Sequence, residues 1–195
     1  MKIGLFFGSF NPIHKGHTLL AQYVLEHTDL EQIWLVVSPN NPLKAPGSLL
    51  PEEARYHMAQ LAVRDIPGLY VCNREFTLPK PNYTVTTLRT LSEEHPGDHF
   101  TLIIGSDNMA LFHRWREADY ILEHYPIIVY PRTGDDIGML QNKYPQMQVV
   151  AAPLLPVSAT EIRAKIASKE PINEWIDPQV ALFLQKNADL FAHVN

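Results

Sequence analysis

Two histidines, His14 and His17, stand three residues apart in the run Gly8-Ser9-Phe10-Asn11-Pro12-Ile13-His14-Lys15-Gly16-His17. On the first turn of a helix that spacing sets both imidazoles on one side. Placed so, they can hold two neighbouring phosphates and stabilise charge while a bond to phosphorus breaks. Gly8 lets the backbone turn sharply and come close to a ligand. Gly16 permits tight packing where the helix begins. The helix start adds unpaired N–H groups and the positive end of its dipole. A bare histidine pair also fits a helix cap, a surface pair or part of a metal site. No third metal ligand lies at a familiar spacing, and Gly8, Pro12 and Gly16 favour phosphate.

A second helix start lies near the far end, in Pro156-Val157-Ser158-Ala159-Thr160-Glu161-Ile162-Arg163. Ser158 suits an N-cap, and Glu161 three residues on completes a capping-box pattern. Taken alone this is a well-capped helix. With Arg163 it can also be an anion site, since the helix end supplies N–H donors and the guanidinium a fork for phosphate oxygens. A triphosphate between the two helix starts would be clamped from both sides.

The surrounding elements must bring these two stretches together. Apolar runs predict strands over 3–7, 32–37, 69–73, 100–104, 127–130 and 148–152. Helical spacing predicts helices over 18–27, 52–63 (with Pro51 at a favourable start), 85–94, 117–124, 159–167 and 178–187. The alternation argues for an α/β fold, a Rossmann-like doubly wound parallel sheet with helices on both faces. No repeat or linker divides the chain, so residues 1–195 are expected to form a single domain. Loops 38–50 and 74–84 fall at carboxyl ends of strands, where such sheets bind ligands.

Composition narrows the partners. Sixteen Lys+Arg against 21 Asp+Glu give a net charge of −5. That offers no global pull on nucleic acid, although a few local donors suffice for a small phosphate. The single cysteine, Cys72, allows no intrachain disulfide and sits in an apolar run, as a core thiol would. No stretch is long and apolar enough for a signal peptide or a bilayer span, and a cytoplasmic location is expected.

The first run matches G-x-F-x-P-x-H-x-G-H at every defined position, and so resembles the nucleotidyltransferase superfamily. The second is similar to that family's I-S-S-T-x-I-R signature, with Val157 for Ile and Ala159 for Ser. Gly105-Ser106-Asp107 resembles the family's I-G-x-D segment. Asn82-Tyr83-Thr84-Val85-Thr86-Thr87-Leu88 resembles S-Y-T-x-x-T-L of the nicotinate-nucleotide branch, with Asn82 for Ser, and Asn108 to Trp115 resembles a loop of that branch.

The resemblance implies that Gly8, Ser9, Phe10, Gly16, His17, Gly105, Asp107, Arg132, Ser158, Thr160 and Arg163 surround ATP. His14, His17 and Arg163 carry the catalysis. Asn11, Lys44, Tyr83, Thr84 and Trp115 surround the mononucleotide. The implied reaction moves AMP from ATP to nicotinate mononucleotide and gives nicotinic acid adenine dinucleotide and pyrophosphate. Mg²⁺ would ride on the triphosphate, with no protein metal site. Nicotinamide mononucleotide, phosphopantetheine or flavin mononucleotide as acceptor stays within the same chemistry, phosphopantetheine fitting the Tyr83 and Trp115 segments least. A non-catalytic nucleotide-binding module would be favoured by loss of either histidine, and both are present. An RNA-acting relative is opposed by the net charge and by the lack of an appended RNA-binding domain. No nucleic-acid or membrane partner is expected, and homo-oligomerisation is left open.

Overall fold

The computed structural model describes residues 1–39 and 49–191. Six strands, β1 (Lys2–Gly8), β2 (Gln32–Val37), β3 (Leu69–Cys72), β4 (His99–Gly105), β5 (Ile127–Tyr130) and β6 (Gln148–Val149), form one parallel sheet in the order β3-β2-β1-β4-β5-β6. The helices are α1 (Lys15–Glu26), α2 (Glu52–Val63), α3 (Thr84–Glu94), α4 (Ser106–Ala110), α5 (Ala118–His124), α6 (Ile137–Lys143), α7 (Ala159–Ala167) and α8 (Pro178–Lys186).

Strand side chains alternate between two faces, and each face has its own core. Phe6, Leu35, Ile103 and Ile128 meet apolar residues of α1, α2, α7 and α8. Ile3, Leu5, Leu102 and Val129 meet those of α3, α4, α5 and α6. This is the doubly wound α/β sheet that the alternation of elements predicts. Strand β1 pairs with β2 on one side (Phe6 opposite Leu35) and with β4 on the other (Phe6 opposite Ile103). The chain builds outward from β1 to β3, then crosses back to start again at β4. The crevice at the carboxyl ends of β1 and β4 is therefore the topological switch point, where such sheets bind ligands.

The element limits depart from expectation where function is concerned. Helix α1 begins at Lys15, not Thr18, because His14 has extended backbone (φ −144°, ψ 168°) and serves as its N-cap. His14 and His17 thus straddle the helix entry instead of both lying within its first turn. Strands β3 and β6 end at Cys72 and Val149, short of the expected 73 and 152. Helices α4 and α6 were not anticipated. Each is short, and α6 depends on a local cap in which Asp136 accepts from Met139 N at 2.9 Å. The segment beyond Pro171 also reaches the first loop: Trp175 O accepts from Lys15 N at 2.8 Å.

Candidate active site

The first loop leaves β1 and enters α1 at the switch point. The His14 and His17 rings stack, with centroids 3.7 Å apart and planes 28° from parallel. His14 N donates to His17 Nδ1 at 3.2 Å. An accepting Nδ1 leaves the proton of a neutral His17 on Nε2. His14 is 8% exposed, and its Nδ1 has no hydrogen-bond partner among the described residues. Burial, with Arg132 nearby, pulls its pKa down to about 4. At neutral pH it is an uncharged ring whose one N–H can donate. Gly16 is required by close approach: a Cβ there would lie 2.9 Å from the His14 ring.

Two residues of this loop support the site from beneath. Phe10, expected at ATP, is 2% exposed, and its ring meets His17 edge-on at 5.1 Å between centroids. It covers Gly8, where a Cβ would lie 2.6 Å from the ring, and holds a left-handed backbone (φ 44°). Asn11, expected at the mononucleotide, is 2% exposed, and its Oδ1 accepts from Leu50 N at 2.9 Å. Both side chains brace the loop. Their hydrophobic or amide side chains satisfy the protein interior and set the loop shape that presents the histidines. Ser9 lies half-buried, its carbonyl engaged by Arg55.

The second helix start faces the first across a cleft of about 640 Å³, whose walls include His14, His17, Arg132, Ser158 and Glu161. Ser158 caps α7 as its spacing predicts: its Oγ accepts from Glu161 N at 3.2 Å. In return Glu161 Oε2 accepts from Ser158 N at 2.8 Å and from Ser158 Oγ at 2.7 Å. Those bonds hold the Glu161 carboxyl below its usual range. Arg163 joins the two motifs, donating to Asn11 O at 2.8 Å and to Thr160 Oγ1 at 3.2 Å. Leu154 and Leu155 add an exposed apolar wall on which a base could lie.

Gly105 ends β4 and takes the cap position of α4, so Asp107 sits inside that helix and not at its cap. A Cβ at Gly105 would collide first with the Asp107 carboxylate and would lie 3.2 Å from Arg132 Nε, so the glycine makes room for both side chains. Asp107 and Arg132 pair loosely at 3.8 Å, and Ser106 Oγ receives Arg132 N at 2.6 Å. Tyr83 caps α3, 37% exposed, with the Arg116 guanidinium 4.7 Å above its ring. Thr84 opens the helix. Trp115 packs on Phe112 with 5.1 Å between centroids and is partly buried. Lys44 lies outside the described residues.

Sequence reasoning missed three contributors. Arg55 is 0% exposed, and its guanidinium donates to four backbone carbonyls: Ser9 (2.6 Å), Ser38 (2.7 Å), Pro39 (2.8 Å) and Leu50 (2.9 Å). It pins the loop after β1 to the loop after β2. Burial lowers its pKa to about 10, still charged at neutral pH. Glu75, 3% exposed, accepts from Thr87 Oγ1 at 2.8 Å, while Asn82 donates to its carbonyl at 3.0 Å, fixing the approach to α3. Arg116 adds a cation over Tyr83. An arginine in an otherwise ordinary amphipathic helix is the only trace that Arg55 leaves in sequence.

The chain matches the cytidylyltransferase-like family over residues 5–165. It is 42% identical over 188 residues to a probable nicotinate-nucleotide adenylyltransferase of Flavobacterium johnsoniae, covering 96% of this chain and 97% of that one. A protein of the same description from Cytophaga hutchinsonii is 44% identical over 180 residues, covering 92% and 93%. Among solved structures, Plasmodium falciparum nicotinic acid mononucleotide adenylyltransferase complexed with NaAD superposes with a TM-score of 0.81 at 20% identity, covering 98% of each chain. At that identity the likeness speaks to the fold.

Proposed function

The chain belongs to the nicotinate-nucleotide adenylyltransferases of the cytidylyltransferase-like family, and we infer that it transfers AMP from ATP to nicotinate mononucleotide, giving nicotinic acid adenine dinucleotide and pyrophosphate. The observation that carries this reading is the convergence of two helix starts, one bearing His14 and His17 and one bearing Ser158, on a single cleft. A phosphate oxygen of the mononucleotide attacks the α-phosphorus of ATP. The new P–O bond forms as the bond to the bridging α–β oxygen breaks, and its electron pair leaves with pyrophosphate. No protein nucleophile is needed, so positioning and charge stabilisation carry the rate.

His17, with Nε2–H as its donor, meets the reacting phosphate. The uncharged His14 contributes a second N–H, and its pKa rises as negative charge gathers beside it. Ser158, Thr160 and Arg163 take the leaving pyrophosphate, and Arg132 with Asp107 takes the adenosine end. Tyr83, Thr84 and Trp115 take the pyridine mononucleotide. Mg²⁺ enters as part of the ATP substrate. Among the described residues no group of three or more His, Cys, Asp and Glu could hold a metal ion. Among them, too, no helix is long and apolar enough to cross a membrane. Soluble nucleotide substrates fit a reaction carried out in the cytoplasm.

The test is direct. Purified protein with ATP and Mg²⁺ is given nicotinate mononucleotide or nicotinamide mononucleotide, and dinucleotide and pyrophosphate are measured. Product mainly from the nicotinate substrate is expected. Product from the amide alone would change the acceptor, and none from either would reject the pyridine-nucleotide reading.

A further inference from the structure

Glu161 is an acidic side chain on the wall of a cleft that must accept a polyanion. Helix capping explains why it is there, but its carboxylate does more than cap. One oxygen, Oε2, takes both the backbone N–H and the hydroxyl of Ser158, at 2.8 and 2.7 Å. Those are the donors that the α7 end would present to the leaving phosphates. The same carboxylate lines the cleft with His14, His17 and Arg132, and its negative charge is felt at His14. It is exposed, so it can swing away without leaving a buried charge behind.

We propose that Glu161 is an internal anion that competes with the triphosphate for Ser158, and so sets how weakly ATP and pyrophosphate are held; this rests on the adenylyltransferase reading above. When ATP arrives, the carboxylate yields Ser158 and turns toward solvent. After the new bond forms, pyrophosphate occupies the α7 end, and Glu161 reclaims Ser158 as the product departs. The competitor is tethered, so it is present at high effective concentration at every turnover. A residue that only capped the helix would not need its charge, because Gln serves the capping box as well as Glu.

That difference supplies the test. Glu161→Gln keeps an oxygen for both Ser158 donors and removes the charge. Steady-state rates are measured with ATP, Mg²⁺ and nicotinate mononucleotide, with added pyrophosphate as product inhibitor. The ATP KM and the pyrophosphate inhibition constant should both fall, by about three- to tenfold, the scale of one nearby unit charge in a solvated cleft. The mononucleotide KM and the thermal midpoint should stay close to wild type. The gap between variant and wild type should narrow as salt is raised, because added ions screen the carboxylate. Unchanged or weaker binding of either ATP or pyrophosphate in the variant would overturn the proposal. Wild-type protein that formed no dinucleotide would reject the adenylyltransferase reading instead. Calorimetric binding of inorganic tripolyphosphate to both proteins would then still decide the role of Glu161, with tighter binding by Glu161→Gln expected and equal binding overturning it.

Discussion

The two helix starts that meet at the cleft are built in opposite ways. The entry to α1 is buried and over-determined. Phe10 lies beneath His17, Asn11 and Arg55 tie the loop to its neighbours, and Trp175 O takes the first helical N–H. The entry to α7 is half-buried at Ser158, exposed at Thr160 and Glu161, and held by its own residues, Ser158 and Glu161, with Arg163 as its link to the first loop. Donors that stabilise a transition state gain most from being fixed in advance. Donors that hold a leaving group must also let it go. The contrast therefore assigns bond breaking to the rigid end and product release to the adjustable one.

The sharpest way to break that contrast is Arg55→Met. It takes the Arg55 donors from four backbone carbonyls, two in buried and two in partly buried hydrogen bonds, at about 1–3 kcal/mol for each buried one. A loss of roughly 4 kcal/mol or more is expected, seen as a large drop in the denaturation midpoint. A Met variant as stable as wild type would mean that the first loop is not held from Arg55. Next in size is His17→Ala, which should cost about 10²- to 10³-fold in kcat, the usual cost of one lost transition-state donor. Thr160→Ala at the other end should mainly raise the ATP KM, by less than about tenfold. Equal kcat losses at both ends would erase the division of labour.

A smaller effect separates the two ends by pH. In the unfolded chain His14 takes a proton near its ordinary value of 6.5, whereas in the fold burial holds it at about 4. The unfolded state therefore binds the proton first as pH falls. Stability is complete above about pH 6.5 and declines between there and pH 4, by roughly 2–3 kcal/mol from this group. His14→Gln should flatten that part of the stability curve, as read from urea midpoints. A curve unchanged by the substitution would place the acid sensitivity elsewhere. Triphosphate works in the opposite direction, because it favours the imidazolium. ATP binding between pH 5 and 6 should therefore take up a proton, measurable by calorimetry in buffers of different ionisation heat.

What could be read from the sequence, and what could not, follows the same division. The six strands and the capping box of α7 are local patterns of period and spacing, so they were legible. His14 and His17 were legible as a pair, but three-residue spacing implied a shared helical turn, and the extended backbone of His14 moved it to the cap. Phe10 and Asn11 looked like ligands because they sit inside the motif. Only the packing of the loop against Leu50 and His17 shows that their side chains also brace it. Arg55 was invisible because its four acceptors are backbone carbonyls from three separate segments, and carbonyls carry no signature in sequence. Glu161 was seen as a cap. That it also faces a polyanion site depends on α7 lying across the cleft from α1, which is a matter of tertiary structure.

The mildest substitution is the most discriminating at the α7 end. Ser158→Ala removes a cap hydroxyl, which costs about 1 kcal/mol of stability. If Ser158 served ATP alone, its loss would raise the ATP KM by the full worth of a charge-assisted hydrogen bond, about tenfold or more. Yet in the free protein that hydroxyl is already satisfied by Glu161 at 2.7 Å. Removing it deprives the competitor and the substrate together, and the two losses largely cancel. The expected outcome is a small drop in thermal midpoint with an ATP KM changed by less than about threefold. In a Glu161→Gln background the competitor is weaker, so the same Ser158→Ala change should raise the ATP KM more than it does in wild type. A double-mutant cycle measures that difference directly. Strict additivity would show that serine and glutamate act on ATP independently, and the adjustable end would then be adjustable in name only.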